Sequence, residues 1–185
     1  MDWITQLRGV LQQYNGAATA PARSNVHDDF EQIAQSAPQA ELADGIAAAF
    51  RSEQTPEFGQ MVKQLFSNSS SDERARVLNA FVAAAGPMLL SQILSRREGA
   101  DTDNKLSELI NLLRNGEETI ITPEQAEQIP PEAVQEIATQ AKTKDASVVD
   151  QVSNFYTAHP ALVKALGPMA LNIALSEIAQ RSQRS

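Results

Sequence analysis

Residues 70–97 read SSDERARVLNAFVAAAGPMLLSQILSRR, and this stretch decides the fold class. It opens on a helix signal. Ser70 is followed by Glu73, the spacing at which a hydroxyl and a carboxylate each satisfy one orphan backbone N–H of a first turn. From Val77 to Ser95 no residue is charged, a run about as long as a membrane span. Asn79, Ser91, Gln92 and the Gly86-Pro87 pair interrupt it, and small residues fill its middle. The run is therefore assigned to a buried core helix, from about Asp72 to Arg97. Arg96 and Arg97 close it at the end where the helix dipole is negative. Pro87 removes a backbone hydrogen bond and bends the helix, and Gly86 leaves room for a neighbour to come close.

The same reading extends to the rest of the 185 residues. Ile33 and Ala34 follow the acidic start Asp28, Asp29 and Glu31, which suits a helix N-terminus. A helix from near Pro38 carries Leu42, Ile46 and Phe50. Thr55-Pro56 predicts an N-cap with proline in the first turn, opening a helix with Phe58, Met61, Val62, Leu65 and Phe66. Leu106, Leu109, Ile110 and Leu113 mark another, ended by Asn115-Gly116. Thr122-Pro123 with Gln125, Pro131 with Glu132, and residues 145–158 give three more. A last helix runs from His159-Pro160 to about Gln180. No convincing strand is found. At the N-terminus, Trp3, Ile4, Leu7, Val10, Leu11 and Tyr14 share one helical face, and Asn15–Asn25 (NGAATAPARSN) reads as a flexible linker. Such a face must dock on the body, pair with another copy, or lie on a membrane.

The helices repeat in order. Glu31-Gln32-Ile33 recurs as Glu127-Gln128-Ile129. Glu41, Ile46 and Ala47 find Glu132, Ile137 and Ala138; Phe58, Val62, Leu65 and Phe66 find Val148, Val152, Phe155 and Tyr156. Gly86-Pro87-Met88 returns as Gly167-Pro168-Met169, flanked by Val82 and Leu90 against Val163 and Leu171. This predicts an internal duplication. Its alternative is chance likeness among alanine-rich amphipathic helices. If the copies are real, the two bent helices could cross at Gly86 and Gly167; otherwise each Gly-Pro is a plain helix break.

Composition narrows the function. With Cys 0, disulfides, thiolate catalysis and Cys-ligated metal are all excluded. The net charge is −8, and the sequence holds no basic footprint for nucleic acid. Residues 101–150 hold most of the excess, with 11 acidic against 4 basic side chains, which reads as a solvated face. The first residues, MDWITQLRGVLQQ, lack the basic start and apolar stretch of a signal peptide, so a cytoplasmic protein is expected, with the periplasm left open.

The candidates for chemistry are sparse. His27 beside Asp28, Asp29 and Glu31 could hold a metal only loosely, and the acidic helix start explains these residues as well. His159 before Pro160 suits a helix end better than a general base. Glu117-Glu118 lies beside Gly116 and suits solvation. There is no phosphate loop and no nucleophile elbow. No catalytic, cofactor or metal residue is assigned.

The stretch Ile121–Ala138, ITPEQAEQIPPEAVQEIA, resembles part of an uncharacterised group of bacterial all-helical proteins, the YidB-like group, whose short helices also begin Ser/Thr-Pro-Glu. The resemblance implies a bacterial, all-helical, non-enzymatic protein and transfers no functional residue.

The expected architecture is all-α, with about ten helices. Residues 1–25 form the N-terminal amphipathic helix and linker. Residues 26–185 form a single bundle of two similar four-helix halves, about 26–98 and 120–182, joined by a helix over 103–114. The expected function is an interaction or structural module without cofactors. It would self-associate or bind a protein partner through Trp3, Ile4, Leu7, Val10, Leu11 and Tyr14. The alternative is a protein that binds an apolar ligand or lipid, or sits on a membrane surface. Arg8 is the only basic residue of the N-terminal helix and faces Asp2, so attraction to anionic lipid is weak.

Overall fold

Helices begin where capping residues stand. The Ser70 hydroxyl accepts from the Glu73 N–H at 3.4 Å, and the Glu73 carboxylate accepts from the Ser70 N–H at 2.7 Å. Thr122 and Gln125 make the same reciprocal pair. The structure is a computed structural model that describes residues 2–17, 23–97, 104–116 and 120–184. These residues hold twelve α-helices and no strand. In order they are α1 (Trp3–Tyr14), α2 (Val26–Ser36), α3 (Gln39–Arg51), α4 (Phe58–Asn68), α5 (Ser71–Ala85) and α6 (Pro87–Arg96). Then come α7 (Asn104–Arg114), α8 (Pro123–Glu127), α9 (Pro131–Lys144), α10 (Val148–Thr157), α11 (Pro160–Val163) and α12 (Pro168–Arg184), with a 3-10 turn at Lys164–Leu166.

Twelve replaces about ten because both Gly-Pro pairs break their helices outright. The α5–α6 pair is bent by 114° and the stretch Pro160–Leu166 meets α12 at 119°. Gly86 takes φ 89, ψ 152, and Gly167 takes φ 93, ψ 167, a region open in practice to glycine alone. The role expected of these glycines, close approach between crossing helices, is not the one they have. A Cβ on Gly167 would meet nothing within 4 Å, and one on Gly86 would meet only the Lys144 Nζ at 3.8 Å. That ammonium caps the end of α5, donating to the Ala85 carbonyl at 2.6 Å. Among the described residues no single helix is long and apolar enough to cross a membrane; the two bent pairs reach that length and composition only when joined.

Thr55 also differs from expectation. Its hydroxyl donates to the carbonyls of Ala49 (2.6 Å) and Ser52 (3.0 Å), so it closes α3 instead of opening α4, which starts at Phe58. Two unsatisfied carbonyls at a helix end offer that hydroxyl acceptors nearer than the next helix does.

The chain divides into two compact units where one domain was expected. Unit 1 is Met1–Glu57 with Val149–Ser185, and unit 2 is Phe58–Val148. The cuts fall inside both proposed half-repeats and not between them. In unit 1, α12 is the central helix, packed on α3, α1 and α2. Its closest approach is at Gly45 of α3, where a Cβ would stand 2.8 Å from the Ala174 carbonyl and from the Ile178 Cγ1. Phe30, Ile33, Ile46, Phe50, Leu171 and Leu175 fill the space around them. Asp44–Arg181 and Glu31–Lys164, both at 2.8 Å, tie α12 and the segment before it to α3 and α2 from outside.

In unit 2, α4 packs on α9, α5 on α8 and α9, and α6 on α7 and α9. Here too a glycine sets the contact. A Cβ on Gly59 would stand 2.5 Å from the Gln135 carbonyl and would strike the Thr139 hydroxyl. Met61, Leu65, Phe66, Phe81, Leu109 and Ile137 are buried in this core. Glu136 of α9 holds Arg96 at 3.2 Å and Arg97 at 3.3 Å, so these arginines do more than complement a dipole. Lys63 pairs with Glu132 at 3.3 Å; backbone hydrogen bonding and then that ammonium hold the Glu132 carboxyl below the usual carboxylate range.

Alanine at four glycines should separate these roles in thermal melts. Gly45→Ala and Gly59→Ala overpack and should each cost about 1–3 kcal/mol. Gly86→Ala should cost about 1–3 kcal/mol through its backbone conformation. Gly9→Ala, mid-helix in α1 with nothing within 4 Å of the new Cβ, should stabilise by about 0.5–1 kcal/mol. A melting point raised by Gly45→Ala would refute the close contact.

Candidate interaction site

The N-terminal face singled out in the sequence docks within its own unit. Leu7, Leu11 and Tyr14 are buried against α12 and α2, whereas Trp3, Ile4 and Val10 are only half-buried. The three buried positions lie one turn apart along a single stripe, as an amphipathic helix requires. Burying Leu7 and Leu11 contributes about 1.5–3 kcal/mol each.

Two polar bonds fasten the C-terminal end of α1. The Tyr14 hydroxyl donates to the Asp29 carboxylate at 2.5 Å, and both residues are buried. The Asn172 side-chain amide donates to the Ala17 carbonyl at 2.6 Å, and Asn172 is fully buried in α12. One bond therefore runs to α2 and the other to α12. Beside them the Arg23 guanidinium donates to the Gln13 side chain at 2.5 Å. Burial pushes the Tyr14 hydroxyl well above its ordinary value of 10.0, and the hydrogen bond to Asp29 and its charge push it further. The nearby Arg23 opposes this weakly.

Asp29 and Asn172 are site residues that sequence reasoning missed. Asp29 was assigned to the helix dipole with Asp28. Its sequence signal was indirect: a tyrosine on an apolar face needs a partner for its hydroxyl. Asn172 stands inside the apolar run of α12, where a buried amide requires a buried acceptor or donor.

The other candidates are dispersed. His27 is half-buried on α2, and among the described residues no three His, Cys, Asp or Glu side chains stand close enough to hold a metal ion. His159 precedes α11 and its ring lies 4.9 Å from that of Phe155. Glu117-Glu118 and part of the linker, residues 18–22, lie outside the described residues, as does Asp103 of the expected joining helix. Gly86, Pro87, Gly167 and Pro168 form breaks and not a crossing pair, so no cavity is built between bent helices at their glycines. Two grooves among the described residues are open and largely polar. One of about 320 Å³ runs between α1 and the end of α12, beside Arg8, Gln12 and Ser182. Another of about 430 Å³ lies on α9, beside Arg97, Gln135 and Glu136.

Comparison with known proteins finds no relative: no family model, curated protein or solved structure matches the chain.

Tyr14→Phe should cost about 1–3 kcal/mol, because it leaves the Asp29 carboxylate buried without that donor. The pH dependence has a definite sign. Folding holds the Tyr14 hydroxyl neutral, so its share of stability is full below pH about 10 and falls as pH rises beyond it, where the unfolded phenol ionises. Denaturation midpoints measured upward from neutral pH should therefore drop more steeply above pH about 10 in the natural chain than in Tyr14→Phe. Parallel curves would contradict the buried bond.

Proposed function

We propose that this protein is a bacterial helical interaction module without an enzymatic reaction, and that it associates with itself through α1. The observation that carries this reading is the docking of α1. Its apolar stripe seats in a groove of α2 and α12, sealed by Tyr14–Asp29 and Asn172–Ala17. An amphipathic helix laid in an apolar groove is a general mode of protein recognition. On the same helix Trp3, Ile4 and Val10 stay half-exposed, leaving apolar surface for a second chain. The net charge of −8 favours a protein partner over nucleic acid.

The reading includes the internal duplication. In its favour, Gly86 and Gly167 adopt the same backbone conformation and bend their chains by similar angles, 114° and 119°. The unit boundaries after Glu57 and after Val148 also fall within one residue of equivalent points, since Phe58 matches Val148 in the repeat. The packing partners weigh the other way: α3 packs chiefly on α12, whereas α9, its counterpart, packs chiefly on α4. The repeat is therefore carried by the Gly-Pro breaks and the boundaries, not by pairing.

Light scattering across the soluble concentration range tests self-association. The expected result is a mass rising from the 20.0 kDa of one chain toward twice that value, reduced by Trp3→Ser with Ile4→Ser. A mass of one chain at every concentration refutes the proposal.

A further inference from the structure

We propose that α1 exchanges between two copies of this chain, each copy's α1 seating in the α2–α12 groove of the other. This rests on the self-association reading and specifies its mode and its occupant. The occupant is argued from the groove's present contents. Everything that holds α1 there, the side chains of Leu7, Leu11 and Tyr14 and the carbonyl of Ala17, comes from residues 7–17. None of these contacts depends on which chain supplies the helix. Asp29 and Asn172 demand a phenol and a free carbonyl one turn apart at the end of an amphipathic helix, which α1 of a second copy supplies in full. The connection Asn15–Asn25 is long, and its alanine, glycine and proline content carries no helix pattern. Swapping an element across such a connection replaces each contact by its identical counterpart, so it is a low-cost route to a dimer. A tethered helix competes at an effective concentration on the order of millimolar, so exchange needs concentrated protein or a shortened tether.

Two full-length variants test this, since the natural chain has Cys 0. Gln12→Cys places a thiol on α1 and Ser182→Cys places one on α12, and both positions line the same groove. The two proteins are mixed at high concentration, incubated, diluted and treated with a short bismaleimide. Exchange predicts a covalent heterodimer that grows with incubation. It also predicts no such growth when Glu53→Cys, at an exposed site after α3, replaces Ser182→Cys. A second variant lacking residues 18–22 should be dimeric at concentrations where the natural chain is a monomer. Equal cross-linking at both positions, or a monomer from the shortened chain, overturns exchange. If the chain dimerises by light scattering but cross-links only at the control level, exchange is wrong and self-association stands. If it never dimerises, both fall.

Discussion

A buried phenol needs an acceptor, and the seating of α1 depends on Tyr14 having found one in Asp29. The bond joins two groups that would each be costly to bury alone. It lies at the end of a stripe of leucines, beside a second buried bond from Asn172. Together they orient a helix that its apolar side chains would only hold in place. Hydrophobic burial is non-directional, and polar bonds in a dry setting supply the register.

The same division of labour runs through both units. Their cores are ordinary apolar interiors, but the positions of the main helix pairs are set by single glycines. Gly45 lets α3 reach the α12 backbone, and Gly59 lets α4 reach α9. Ion pairs such as Asp44–Arg181 and Glu136 with its two arginines lie outside these contacts and, being partly exposed, add little stability.

Much of this could be read from the chain. The capping boxes at Ser70 and Thr122, the apolar stripes, and the ends at Asn15-Gly16 and Asn115-Gly116 are local signals, and the helices follow them. What failed was non-local. Gly86-Pro87 read equally well as a bend or a break, because the choice depends on whether glycine leaves the helical region. Thr55 looked like a cap for the helix ahead and served the one behind. Gly45 and Gly59 carry no local mark that tells a packing glycine from a tolerated one such as Gly9. Asp29 was hidden because a carboxylate in a first turn already has an adequate explanation. The division into units was also illegible, since unit 1 closes only when residues 149–185 return to the helices before residue 58.

The central claim is that α1 is a separately held arm of unit 1, seated by one face and two polar bonds. Native-state hydrogen exchange of the backbone amides tests it most directly. The account predicts that the amides of α1 exchange together through a shared opening of lower free energy than that of α3 and α12. Protection of α1 equal to that of α3 and α12, lost only on global unfolding, would contradict it.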